Sequence, residues 1–186
     1  MSIDDTTRGK AKISMDEYVK IMLDELPSDM SGISTTPSAL HLFNIDDGAE
    51  KLCKEKAQLF HHLVAKLLYL NRRSRQDIQT AVAFLCTRVQ RPNVDDHKKL
   101  ACIMKYLCGT KDFMLTIEPS DGPRWWVDSS YAIHLDMRSH SGIYMTLDKG
   151  TTYTTSSKQK LNTKSSTEAE LVAIDDSMGQ VLWTRR

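Results

Sequence analysis

The chain has 186 residues, of which 40% are hydrophobic and 26% charged, with a formal net charge of +1. That length gives room for one domain or two small ones, and the balance suits a folded globular protein rather than a disordered one. No apolar run approaches the roughly 18 residues a membrane helix needs, and the acidic start is no secretory signal, so an intracellular protein, cytoplasmic or nuclear, is expected, with no membrane partner.

Residues 1–50 carry 4 basic and 10 acidic side chains. Ile3 to Asp5 and Lys10 to Ile13 read as two short strands around a Thr-Arg-Gly turn. Ser14 and Glu17 are spaced as a capping box, and Tyr18, Met22 and Leu26 continue a helical stripe to a stop at Pro27. Residues 27–47, with Pro27, Gly32 and Pro37, form a connection too long to be a tight turn, one that drapes over the surface or links subdomains.

Residues 51–111 invert the charge, with 13 basic and 4 acidic side chains. A basic middle between acidic flanks suits a polyanion, and equally an ordinary solvated helix face. Three amphipathic helices are predicted. The first spans about Glu50 to Arg73, with Leu59, Leu63, Leu67 and Leu70 on one side and Phe60, Val64 and Leu68 widening the face. Its basic end, Arg72-Arg73-Ser74-Arg75, suits the negative pole of the helix dipole. The second helix is capped by Asp77 and striped by Ile78, Val82 and Leu85; the third starts after Asn93, carries Leu100, Ile103, Met104 and Leu107, and stops at Gly109. Cys53, Cys86, Cys102 and Cys108 form no CxxC pair and read as reduced, packed thiols. His61 and His62, adjacent on a helix, point about 100° apart and suit the surface or the core better than a shared metal.

From Phe113 the period changes. Phe113 to Ile117 is strand-like, and Pro119 to Pro123 is the best domain boundary. Strands are predicted over 125–132, 141–147 and 151–158, with Gly142 and Lys149-Gly150 marking a bulge or hairpin. The last stretch, Lys158 to Leu171, reads as a basic strand edge, a turn, and a helix start with Ser165 and Glu168 in a capping box. Leu171, Ile174, Met178, Val181 and Leu182 are the expected buried stripe of that helix, with Glu170 at its rim. The fold class expected is α+β. A three-helix bundle over 49–120 follows a strand-helix segment over 1–48, and a unit of three antiparallel strands and one helix occupies 121–186.

Several of these segments are similar to a known family. Gln58 to Leu70 (QLFHHLVAKLLYL), then Arg75-Gln76-Asp77-Ile78, then Leu100 to Thr110 (LACIMKYLCGT) closely resemble the back of copia-type reverse transcriptases, although Gln76 stands where that family usually has Pro. Val127-Asp128, Arg138-Ser139-His140-Ser141-Gly142 and Ser165-Ser166-Thr167-Glu168-Ala169-Glu170-Leu171 resemble the start of the adjoining ribonuclease H domain. The resemblance implies a piece of an LTR-retrotransposon Pol polyprotein. It joins a thumb- or connection-like helical region to a truncated ribonuclease H-like unit.

Family ribonuclease H sites hold two Mg²⁺ ions with four carboxylates. Asp128 matches the first of these and Glu170 the second, whereas Glu168 is better explained as the cap partner of Ser165. The other two lie beyond the family's first helix, in which this sequence ends, and Asp175 and Asp176 share that helix with Glu170 and are poor substitutes. The polymerase Y-x-D-D is likewise absent: Ile3-Asp4-Asp5 lacks a hydrophobic hairpin, and Val94-Asp95-Asp96 sits where acids cap a helix. The resemblance places Arg72, Arg73, Arg75, Arg88 and Arg91 where a thumb touches a template–primer backbone. Lys158, Lys160 and Lys164 either grip phosphates near the two carboxylates or protect an edge strand from pairing. The implied partners are an RNA–DNA hybrid or template–primer duplex and the rest of the polyprotein, and the implied ion is Mg²⁺. The expectation for this chain alone is no catalysis. The alternative is a non-catalytic basic helical module that binds nucleic-acid backbone.

Overall fold

The computed structural model describes residues 1–119, 121–147 and 149–185. It is a mixed α/β structure of five α-helices and two three-stranded sheets. The chain divides into two compact units, Met1–Ile3 with Ile13–Leu115, and Asp4–Lys12 with Thr116–Arg186. The strand β1 (Ser2–Asp4), β2 (Ala11–Ser14) and β3 (Leu115–Ile117) form one sheet in that order, which contributes residues to both units. The division after Leu115 precedes the expected junction, of which Ser120 lies outside the described residues.

The first unit is helical. α1 (Asp16–Asp24), α2 (Lys54–Asn71), α3 (Gln79–Cys86) and α4 (Val94–Gly109) enclose a core that includes Val19, Met22, Phe60, Leu63, Leu67, Leu70, Val82, Leu85, Leu100 and Met104. The apolar residues of α2 recur every three or four positions, so one stripe turns inward and is fully buried. Leu68, expected on that stripe, lies off it and is exposed. The bundle has four helices rather than three, because Val19 and Met22 bring α1 into the same core. The long connection also contributes: Met30, in a 3-10 turn over Ser28–Met30, and Leu42 are both buried. Gly109 is closely approached, since a Cβ there would meet the exposed Ile33 side chain at 2.8 Å and push it aside.

Three expected caps come out differently. α4 has the full box: the Asn93 side chain accepts from the Asp96 N–H at 2.9 Å, and Asp96 accepts from the Asn93 N–H at 3.0 Å. At α1 the N-cap is Met15, and Ser14 Oγ accepts instead from the Asp16 N–H, so the Ser14–Glu17 box does not form. Asp77 caps nothing. It lies in a 3-10 turn over Gln76–Ile78, and α3 starts from Ile78.

The second unit is an antiparallel meander, β4 (Arg124–Ser130), β5 (His140–Leu147) and β6 (Gly150–Lys158), followed by α5 (Ser166–Thr184). Asp128 pairs with Gly142, and Gly142 with Ser156. The register shift falls between Met145 and Thr146, not at Gly142. Gly150 is fixed by space, as a Cβ would come within 2.3 Å of the Thr116 carbonyl oxygen.

α5 packs on β4 and β5, but not through the expected stripe. Its buried residues are Ala169, Ala173 and Ser177, four apart, while Leu171, Ile174, Met178 and Leu182 are exposed. A ridge of small side chains lets a helix lie close to a sheet. Here the sheet supplies the bulk, through Ile143 and the Trp125–Tyr153 ring pair, with centroids 5.6 Å apart. Gln159 ties the layers together: its Nε2 donates to Ser141 Oγ and to the Ala169 carbonyl, each at 2.9 Å.

Candidate functional site

Two sets of residues singled out by sequence need placing: the carboxylates of the second unit and the basic side chains of both. Ser165 caps α5 by accepting from the Glu168 N–H at 3.2 Å, and Glu168 turns back to the Lys164 N–H at 2.6 Å. Glu168 is therefore held at the helix start, as its spacing implied. One turn of helix onward from the cap, Glu170 is half-buried and its Oε1 accepts from the Ser129 N–H at 3.3 Å, so it sits at the end of β4.

Asp128 is the neighbour of that N–H in sequence, but the pleat sends its side chain elsewhere. Side chains alternate across a strand. Ser141 is on the α5 side because Gln159 bridges it to Ala169, and Ser129 pairs directly with Ser141. Ser129 therefore faces α5, while Asp128 is exposed on the other face of the sheet. The structure brings Glu170 to the backbone N–H next to Asp128 in sequence. Among the described residues, no group of three or more His, Cys, Asp or Glu is arranged to hold a metal ion. Two carboxylates, one of them already accepting a backbone N–H and with no third ligand grouped with them among the described residues, do not make up the four-carboxylate cage that holds paired Mg²⁺ ions.

The five arginines divide by burial. Arg75 is only 2% exposed, and each nitrogen of its guanidinium is engaged: Nε and Nη2 donate to Asp77 at 3.0 and 2.7 Å, and Nη1 and Nη2 to the carbonyl and hydroxyl oxygens of Thr110 at 2.9 and 2.7 Å. Tyr106 donates to the same Asp77 at 2.8 Å, and its phenol is raised by burial and then by that carboxylate. Arg88 pairs at 3.0 Å with Asp96, itself part of the α4 cap. These two cations have structural partners. Arg72, Arg73 and Arg91 are exposed, Arg73 lying over the Tyr69 ring at 4.1 Å from its centroid. In the second unit Lys160 and Lys164 are exposed, whereas Lys158 pairs with Asp136 at 2.6 Å and holds that carboxyl below its usual range.

Sequence reasoning missed a polar chain on the sheet face that carries Asp128. His134 Nε2 lies 3.1 Å from His140 Nδ1, and His140 Nε2 lies 2.7 Å from Ser156 Oγ. Burial lowers the His140 imidazole to about 4, with His134 adding to the effect. The register offers a signal, since residues 140 and 156 sit diagonally across one strand pair, but only once the pairing is known. His61 and His62 are both exposed on α2, the surface rather than the core alternative. The four cysteines are free, and Cys53 and Cys108 are exposed rather than packed.

With this geometry established, comparison with known proteins gives a class first. The chain is similar to the Pol polyproteins of retroelements. Specifically, it is 26% identical over 190 residues to the "Retrovirus-related Pol polyprotein from transposon TNT 1-94" of Nicotiana tabacum, a match that takes in 97% of this chain. The chain spans 14% of the length of that relative. No family model matches the sequence, and no solved structure matches it. No helix of the described residues is long and apolar enough to cross a membrane.

Proposed function

We propose that this chain is the stretch of a copia-type retrotransposon Pol polyprotein that joins the end of the reverse transcriptase to the start of its ribonuclease H domain. On this reading the chain alone holds nucleic-acid backbone and does not cut it. The observation that carries the reading is the similarity to a retrotransposon Pol polyprotein across 97% of the chain. That span takes in the helical motifs of the first unit and the Asp128 and Glu170 segments of the second. The lack of cleavage rests on the carboxylates: two, where the family's chemistry uses four around paired Mg²⁺ ions. The exposed arginines Arg72, Arg73 and Arg91 supply the backbone contacts, with Lys160 and Lys164 available in the second unit. The RNA–DNA hybrid or template–primer duplex is the partner of that surface, and the remainder of the polyprotein is the partner of the fold.

The test is binding of a labelled RNA–DNA hybrid by fluorescence anisotropy at two salt concentrations. Affinity should fall steeply with salt, and replacing Arg72, Arg73 and Arg91 together by Ala should reduce the log–log salt slope by about 2 to 3. Binding indifferent to salt would rule out backbone recognition. In Mg²⁺ the hybrid should remain intact. Cleavage that survives Asp128→Asn with Glu170→Gln would remove both residues from any site.

A further inference from the structure

In the helical unit a cavity of about 310 Å³ opens between the start of α2, the 3-10 turn over Ser28–Met30 and one face of α4. Three lysines line it, Lys56 from α2 and Lys98 and Lys105 from α4, together with His97. Lys98 and Lys105 are seven residues apart, two helical turns, so they stand on the same face. One carboxylate, Asp29, also lines the cavity, over an aliphatic floor. The acids at the start of α4 are held by other cations: Asp95 pairs with Lys99 at 2.8 Å and Asp96 with Arg88 at 3.0 Å. Among the described residues, none of the three lining lysines makes an ion pair. Three cationic residues thus border a recess with one acidic residue, an imbalance that an anion relieves.

We propose that this recess seats a phosphoryl group, with its oxygens on Lys56, Lys98 and Lys105. The group comes either from nucleic-acid backbone or from a free small phosphate. The first source rests on the backbone-binding reading above; the second does not. Lysines suit this role as mobile point charges that surround an anion rather than clamp it in one plane. Asp29 opposes the anion and limits its charge. His97 reports on occupancy. Burial lowers its imidazole, the facing Lys56 lowers it further, and the facing Asp29 raises it. An anion in the recess favours the imidazolium, so binding must raise the His97 midpoint, and by linkage the anion binds more tightly as pH falls through it.

The experiment follows the His97 ring by NMR in the full chain, titrated over pH with and without inorganic pyrophosphate, and then with an RNA–DNA hybrid. The expected result is a raised His97 midpoint in pyrophosphate, with His61 and His62 unmoved as internal controls. Lys98→Gln should weaken pyrophosphate binding about fivefold and Asp29→Asn should strengthen it about threefold, as a single opposite charge at short range in high dielectric implies. Both positions are exposed, so both variants should keep the wild-type far-UV spectrum. An unmoved His97, equal shifts at His61 and His62, or no gain from Asp29→Asn would overturn the proposal. Should pyrophosphate move His97 while the hybrid fails to bind, the recess is a small-phosphate site and the backbone reading fails alone. Should the hybrid bind with a steep salt slope while neither ligand moves His97, the recess proposal fails alone.

Discussion

The two units bury their apolar residues in opposite ways. In the helical unit, large side chains point inward: Phe60, Leu63, Leu67, Leu70 and Leu100 are each fully buried. In the second unit, the helix turns Ala169, Ala173 and Ser177 to the sheet and leaves Leu171, Ile174, Met178 and Leu182 in solvent. A helix therefore does not always bury its most hydrophobic stripe; it buries the stripe whose shape fits the surface available. Against a sheet already carrying Trp125, Ile143 and Tyr153, small residues allow the closer approach.

Four measurements bear on that contrast. The largest effect is expected from Leu67→Ala, which removes a fully buried side chain and should cost about 3 to 5 kcal/mol in denaturant unfolding. Leu171→Ala, the same change on the exposed stripe, should stay within about 0.5 kcal/mol. Equal losses at the two positions would break the comparison. Next comes Arg75→Ala, which removes a buried guanidinium with its bonds to Asp77 and Thr110 and should destabilise the fold by about 2 to 3 kcal/mol. Arg73→Ala, in an exposed place, should leave stability nearly unchanged.

The second unit offers a pH test of similar size. Burial holds the His140 imidazole at about 4, below its ordinary 6.5. Between those values the unfolded chain binds the proton and the folded chain does not. Stability is then full above about pH 6.5 and declines as pH drops toward 4, by roughly 3 kcal/mol in all. Urea midpoints from pH 7 to 4 would show this, and His140→Gln should flatten the profile. Smaller losses are expected at the caps: Asn93→Ala, which loses a reciprocal and buried box, should cost about 2 kcal/mol, and Ser165→Ala, exposed and bonded one way, about 1. Thermal unfolding of the two variants would rank them.

The helical half was readable from sequence for a physical reason. Its apolar residues repeat at the period of the helix they form, and its core is made by helices adjacent in the chain. The α4 start was legible in Asn93 and Asp96, because a cap is built from neighbours. The site was much less so. The resemblance picked out Asp128 and Glu170, and Glu168 was correctly given to the cap, yet which face of β4 each carboxylate reaches depends on register. The resemblance assigns Arg75 and Arg88 to nucleic-acid backbone; Asp77 lies only two residues from Arg75, but the other partners, Thr110 and Asp96, are 35 and 8 residues from their arginines.

By itself, then, the sequence determined the helices, the strand–strand–strand–helix order and the likeness to a retroelement Pol polyprotein, because periodicity, capping and motif spacing are local. Only the tertiary structure decided which stripe of α5 is buried, which side of the sheet Asp128 faces, which arginines are neutralised, and that Lys56 shares a recess with Lys98 and Lys105. Those outcomes depend on which segments, distant in sequence, meet across a sheet or a bundle.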